Sequence, residues 1–161
     1  MIDKKTLFGA VVRQLEEEIA QLEVVLGVTH QTINDSPGAM QSHSDTTRYQ
    51  TTAVANEQTR SLGMKYRSLS DIRFFATTRS LGQDDEICLG AVFSIDDGSE
   101  ISHLILLPGN GGITVPFGDR EYFTMTPEAP LAKQLLGRKC GDSVKFVQGK
   151  RSRDIKIIEI L

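Results

Sequence analysis

The side chains able to do chemistry are few and scattered. The three histidines, His30, His43 and His103, fall in three different stretches of the chain. A serine or cysteine hydrolase needs a nucleophile, a base and a group that orients the base. No Gly-x-Ser-x-Gly elbow accompanies any of them, so each reads as a surface or packing residue. Cys88 and Cys140 are isolated, and no Cys-x-x-Cys or His-x-x-x-His spacing exists to hold zinc. Two such cysteines read as unpaired thiols of a reduced, cytoplasmic protein. Pro108-Gly109-Asn110-Gly111-Gly112 is rich enough in glycine to test as a phosphate loop. That loop needs a Lys-Ser/Thr pair and a helix N-terminus behind the glycines. Ile113-Thr114-Val115 follows instead, so it reads as a plain loop. The remaining candidate is a small polar stretch, residues 39–47, in which Ser44 or Asp45 reads as the cap of a following helix.

Composition narrows the class. A chain of 161 residues holds one domain or two small ones. A net charge of −3 argues against non-specific attraction to nucleic acid or anionic lipid. No apolar run approaches the ~18 residues of a membrane span. No apolar signal region follows Met1-Ile2-Asp3-Lys4-Lys5.

The elements that would position these residues are legible in the periodicity. Phe8, Leu15, Leu22 and Thr29 are seven apart, as are Val12, Ile19, Leu26 and Ile33. The two sets interleave as an a/d seam and predict a helix over residues 4–34. Such a helix is ~45 Å long, too long for the core of so small a protein, and should protrude or pair lengthwise. Asn34-Asp35-Ser36-Pro37-Gly38 is a turn cluster. A second helix is expected over residues 46–76, with Ala55, Leu62, Leu69 and Ala76 on one seam position and Thr59 and Tyr66 on the other. The first segment carries three basic and six acidic residues between positions 3 and 35. Positions 41–80 carry six basic and three acidic ones, so opposite charge favours an antiparallel pair. A parallel dimeric coiled coil is the structural rival, and Pro37-Gly38 argues against one continuous rod.

Residues 77–85 read as a linker, after which the period changes to strands. These are expected over residues 87–95, 101–107, 113–115, 121–126, 144–148 and 154–160, with turns at Asp96-Asp97-Gly98-Ser99 and Gly149-Lys150-Arg151. A short helix is expected from Pro130, whose missing N–H suits the first helical position, to Gly137, which can take the left-handed conformation that closes a helix. Leu131, Leu135 and Leu136 give it one apolar face, and Gly141-Asp142-Ser143 turns the chain into the next strand. The fold class is therefore α+β, with a helical hairpin over residues 1–78 and a sheet domain with one short helix over residues 79–161.

Pro130-Leu131-Ala132, Leu135-Leu136-Gly137 and Gly141-Asp142 together resemble the signature of the C-terminal domain of the bacterial GreA/GreB transcription elongation factors. There the pattern runs Ser-Pro-(Leu/Ile)-(Ala/Gly)-x-x-Leu-(Leu/Ile)-Gly and then (Gly/Asp)-Asp. Ala129 stands where the family has serine, which forgoes an N-cap hydroxyl worth ~1 kcal/mol; Thr126 is a nearby alternative cap. The resemblance covers roughly the last half of the chain and implies an FKBP-like C-terminal domain.

It also implies a partner and a mode of action. Gre factors insert a helical hairpin into the secondary channel of RNA polymerase. Acidic residues at its tip help hold Mg²⁺ for cleavage of backtracked RNA, by the chemistry of metal-assisted phosphodiester hydrolysis. The family's tip, Gly-Asp-x-x-Glu-Asn-x-x-Tyr, is best matched by His43-Ser44-Asp45-Thr46-Thr47-Arg48-Tyr49. Asp45 aligns with the aspartate, but Arg48 stands where the family has glutamate. A cation three residues from Asp45, on the same helical face, would repel Mg²⁺. Asp35 is the other carboxylate near the turn. The resemblance thus implies a polymerase-binding protein that modulates elongation with weak or no transcript-cleavage stimulation, and is not itself an enzyme. Asp35, His43, Ser44, Asp45, Arg48 and Tyr49 are its tip candidates. Pro130, Leu131, Leu135, Gly137, Gly141 and Asp142 are its docking candidates. It implies no cofactor of its own, Mg²⁺ only within the polymerase active site, no sequence-specific nucleic acid and no membrane; a monomer is expected. The rivals are an active cleavage factor using Asp45, a coiled-coil adaptor for another partner, and a prolyl isomerase, which the absence of tryptophan to floor a proline pocket disfavours.

Overall fold

The computed structural model describes residues 3–35, 42–149 and 151–161, with the side chains of residues 42–48, 148 and 151 outside that description. The elements are α1 (Lys4–Asp35), α2 (Ser42–Thr77), β1 (Val92–Asp96), β2 (Ile101–Leu106), β3 (Thr114–Phe117), β4 (Arg120–Met125), α3 (Pro130–Leu135), β5 (Ser143–Gln148) and β6 (Arg151–Ile160). They group into two compact units: residues 14–69, and residues 1–13 together with 70–161. No helix among the described residues is long and apolar enough to cross a membrane.

α1 starts at a cap. The Asp3 carboxylate accepts the backbone N–H of Lys5 at 3.3 Å and of Thr6 at 3.1 Å, which fills two of the donors a helix N-terminus leaves open. Within residues 14–69, α1 and α2 pair as an antiparallel hairpin. The α1 seam is the heptad pattern: Leu15 and Ile19 are buried, Leu22, Leu26, Thr29 and Ile33 are half-buried, and the residues between Ile19 and Ile33 otherwise face solvent. Lys65 donates to Glu18 at 2.6 Å, and the Tyr66 hydroxyl donates to Glu23 at 2.6 Å.

Two expectations for α2 are corrected. Its second seam position is occupied by Thr51, Gln58, Lys65 and Ile72, one residue before Thr59 and Tyr66, which are exposed. The Thr59 hydroxyl instead donates back to the Ala55 carbonyl at 2.8 Å. Spacing alone could not decide between the two sets, because this helix is polar along most of its length. The helix also begins at Ser42 rather than after a loop over residues 39–47, so Ser44 and Asp45 lie inside it and not at its cap. The last strong helix breakers are Pro37 and Gly38; the serines, threonines and Asp45 after them cost only tenths of a kcal/mol each in a helix.

The six strands form one mixed sheet in the order β3-β4-β2-β1-β6-β5. Every neighbouring pair is antiparallel except β2 with β4. Pro116 falls on the edge strand β3, where its missing N–H breaks no central ladder. Phe93, Ile95, Leu104, Leu106, Ile155 and Ile157 form the core on one face of the sheet, and Ala132 and Leu135 of α3 pack into it. Full burial of a leucine such as Leu135 contributes about 2 kcal/mol.

The strand expected over residues 87–95 is shorter than its apolar run. β1 starts at Val92, and Cys88 is exposed on the approach to it. Ile87 is claimed by the exit of α3: its N–H donates to the Arg138 carbonyl and its carbonyl accepts from Gly137, both at 2.9 Å. Gly90 then turns the chain with φ +81, and a Cβ there would meet the Phe75 ring at 2.4 Å. Gly90→Ala is therefore expected to destabilise the protein by about 3 kcal/mol, from left-handed strain and overpacking together. Gly98→Ala has a similar φ, +83, in open space, and should cost about 1–2 kcal/mol. Chemical denaturation of the two variants compares them; equal losses would refute the Phe75 contact as the cause.

Candidate functional site

The described tip candidates are Asp35, at the last position of α1, and Tyr49, both exposed, with Tyr49 at 78%. The backbone at His43, Ser44, Asp45 and Arg48 is helical, while their side chains lie outside the described residues, as do residues 36–41. A carboxylate pair from Asp35 and Asp45 is therefore not among the geometry on view. Among the described residues no cluster of three or more His, Cys, Asp or Glu could hold a metal.

The second candidate set is fully placed. Pro130 occupies the first turn of α3. Ala129 gives the helix no side-chain cap. Leu135 is buried with Ala132, Leu131 is half-buried, and Leu136 turns outward at 37% exposure. Gly137 takes φ +75 and Gly141 φ +91, conformations open to glycine at little cost. The Gly141 N–H donates to the Ile157 carbonyl at 2.8 Å, and the Ile157 N–H donates to the Asp142 carbonyl at 2.9 Å. The Asp142 carboxylate accepts the Lys139 N–H at 3.0 Å. Leu135, Gly137, Gly141 and Asp142 thus spend their interactions inside the domain. Pro130 and Leu136 are exposed, as are Lys133, Gln134, Arg138 and Lys139, and Leu131 is half-buried.

Leu131 also lines a cleft of about 190 Å³ with Ile95, Phe146 and Ile155 at its apolar side and Asp97 and Glu100 at its rim. Arg153 reaches the Asp97 carboxylate at 2.6 Å. The backbone N–H groups of Ser99 and Glu100, and then Arg153, hold the Asp97 pKa below the usual carboxylate range. The rim is therefore fixed by the β1–β2 turn and the β5–β6 hairpin together.

The chain is similar to the transcription factor Gfh1. To that structure it is 18% identical with a TM-score of 0.39, over 94% of this chain and 93% of the other. To GreA factor homolog 1 of Thermus thermophilus it is 18% identical with a TM-score of 0.38, over 93% and 94%. To the elongation factor GreA/GreB of Nitrosomonas europaea it is 18% identical with a TM-score of 0.33, over 45% and 57%. No protein-family model matches the chain, and no curated protein matches it. Likeness at this level assigns no role to any residue.

A polar row across the sheet, formed by Ser94, His103 and Glu159, was missed in the sequence, although Ser94 interrupts the apolar run of β1. Ser94 Oγ lies 2.7 Å from His103 Nδ1 and 3.2 Å from Glu159 Oε2, and Arg120 donates to Glu159 at 3.2 Å. The serine stands between the imidazole and the carboxylate. With its proton on Glu159, it accepts from Nδ1–H, so the imidazole holds the wrong tautomer to act as its base. The row is a structural relay and no hydrolase triad. Beside it Tyr122 is fully buried, and its hydroxyl has no hydrogen-bond partner among the described residues. Burial raises its pKa; Arg120 is close enough to offset part of that shift but not in hydrogen-bond geometry.

The end of the glycine-rich loop is tied to β4: the Gly112 N–H donates to the Thr124 carbonyl at 2.7 Å, and the Ile113 N–H to the Thr124 hydroxyl at 2.9 Å.

Two predictions follow from the polar row. Burial, with Arg120 as the second cause, lowers the His103 pKa below its ordinary 6.5. The unfolded chain then binds the proton more readily, so this contribution to stability is complete above pH ~6.5 and is lost as pH falls through that value toward the folded pKa. His103→Gln should flatten the stability profile across that window relative to the parent, read by denaturation at a series of pH values. Tyr122→Phe removes a buried, unpaired hydroxyl and should leave stability unchanged or raise it by about 1 kcal/mol; a loss above that would show a hydrogen bond at this atom.

Proposed function

We propose that this protein binds bacterial RNA polymerase, enters its secondary channel with the α1–α2 hairpin, and modulates elongation with weak or no stimulation of transcript cleavage. The observation that carries the reading is a pairing on one chain. An antiparallel hairpin with helices of 32 and 36 residues accompanies a sheet domain that bears the Pro130-to-Asp142 turn. A 32-residue helix is about 48 Å long, a reach suited to a deep channel. The turn is the segment whose sequence resembles the Gre signature, and Pro130, Leu131 and Leu136 offer its docking surface. Docking and channel filling are protein–protein tasks, and neither needs a tip carboxylate pair.

Arg48 sets the expected activity. Metal-assisted cleavage needs carboxylates to hold a divalent ion against the scissile phosphate. Asp45 supplies one, and Arg48 puts a positive charge where the family has its second. The protein is not an enzyme in this reading, and Mg²⁺ belongs to the polymerase active site. A cytoplasmic monomer is the form that acts.

The test is binding to purified core polymerase, run beside RNA cleavage in a stalled, backtracked complex with Mg²⁺. Binding is expected, with cleavage close to the factor-free rate, and Arg48→Glu should raise cleavage while leaving binding intact. Cleavage by the unaltered protein that is lost in Asp45→Ala would establish an active cleavage factor instead. Absence of binding would overturn the proposal and favour an adaptor with another partner.

A further inference from the structure

Lys4 is a cation in an unusual place. It is 6% exposed, and buried ammonium groups ordinarily sit against a carboxylate, because an uncompensated buried charge is costly. Among the described residues no carboxylate lies within ion-pair distance of it. Its ammonium donates to the Thr78 hydroxyl at 2.9 Å and the Arg79 carbonyl at 3.1 Å, and lies 5.4 Å from the centre of the Phe8 ring. An ammonium has three donors, and the described residues supply acceptors for two of them. Burial lowers the Lys4 pKa, the consequence of a charge held out of water without a counter-charge.

The same residue lines a cleft of about 240 Å³, whose other walls include Leu7, Leu81, Val92, Ile160 and Leu161. The neighbouring donors are already committed. The Arg79 guanidinium grips Asp85 through two bonds of 2.8 and 2.9 Å, and the Gly82 N–H donates to the same carboxylate at 2.8 Å. Those bonds hold the Asp85 pKa down to about 2. The cleft therefore presents one cation with no carboxylate in ion-pair distance among the described residues, with Ser80 and Gln83 as further polar lining, beside a mostly apolar wall.

We propose that this cleft binds a small apolar carboxylic acid, with its carboxylate on Lys4 Nζ and its hydrocarbon tail against Leu7, Leu81, Val92 and Ile160. A phosphate or sugar phosphate fits less well, since the wall beside Lys4 is mostly apolar. The volume lies below the ~300–1,000 Å³ of sites for drug-sized ligands, which sets the ligand at the size of a short-chain acid. The site is independent of the hairpin tip and of the polymerase reading.

The experiment titrates the full chain with hexanoate and, separately, with hexanamide, which has the same tail without the charge. Binding is read from backbone amide shifts in ¹H–¹⁵N spectra. Hexanoate should saturate with a Kd of about 1 mM or tighter, moving the amides of Leu81, Gly82 and Gln83. Hexanamide should bind about tenfold more weakly, the difference between a charge-assisted and a neutral hydrogen bond. Lys4→Met should abolish the discrimination between the two. No saturable shift at these residues, equal affinity for acid and amide, or acid binding that survives in Lys4→Met would overturn the proposal. Should Lys4→Met fail to fold, the acid–amide comparison on the unaltered protein decides alone.

Discussion

The sheet domain depends on one segment, residues 87–91, being held from three sides at once. The exit of α3 pairs with Ile87 through Gly137 and Arg138. β2 pairs with Gly90 and Ala91 through both hydrogen bonds of Leu106, at 2.8 and 3.0 Å. Phe75 of α2 lies against Gly90, at a distance that leaves no room for a Cβ. A ring, a strand and a helix end can meet there only because the backbone turns left-handed and bare. The interruption of the apolar run 87–95 is thus the means by which three elements are joined, and the shortened β1 is its consequence.

The same logic separates what the sequence showed from what it hid. The α1 heptad was legible because apolar residues recur at seven of its eight seam positions, from Phe8 to Ile33. The α2 seam was legible at Ala55, Leu62 and Leu69, but its second position was not. Gln58 and Lys65 occupy it, and neither is more apolar than Thr59 or Tyr66. Lys65 gains its place by pairing with Glu18, a long-range contact that no local pattern encodes. The turns at Gly98, Gly137, Gly141 and Gly149 were readable from residue type, and each takes a positive φ. Gly90 was not, since glycine inside an apolar run has no flanking turn residues to announce it. At the candidate site, Pro130 and Gly137 were placed by the short helix's own start and stop signals. Lys4 and Glu159 stayed invisible because their partners Thr78 and Ser94 lie 74 and 65 positions away along the chain.

The two halves of the hairpin–sheet arrangement also differ in what sustains them. The sheet domain has a dense apolar core on one face and a hydrogen-bonded polar row on the other. Among the described residues of 14–69, the buried apolar ones are Leu15, Ile19, Ala55 and Leu69, beside the half-buried seam. Burial scales with apolar area removed from water, so the hairpin's stability leans on fewer and smaller contacts. Exposed Val24, Val25 and Val28 on its outer surface, at 68, 48 and 61%, add nothing to the seam.

A signature motif is commonly read as a list of contact residues. Here the placement of the side chains divides it. Leu135 fills the core, Gly137 and Gly141 supply backbone angles, and Asp142 ties its own turn to the Lys139 amide and, through its carbonyl, to β6. These four would be required by the fold whatever the domain binds. Pro130 and Leu136 keep their side chains at the surface, among the exposed Lys133, Gln134, Arg138 and Lys139, and the half-buried Leu131 shares its cleft with the Asp97–Arg153 pair that joins two hairpins. The match to the Gre signature therefore speaks first to architecture. The side chains it leaves at the surface are the ones whose substitution need not disturb the fold.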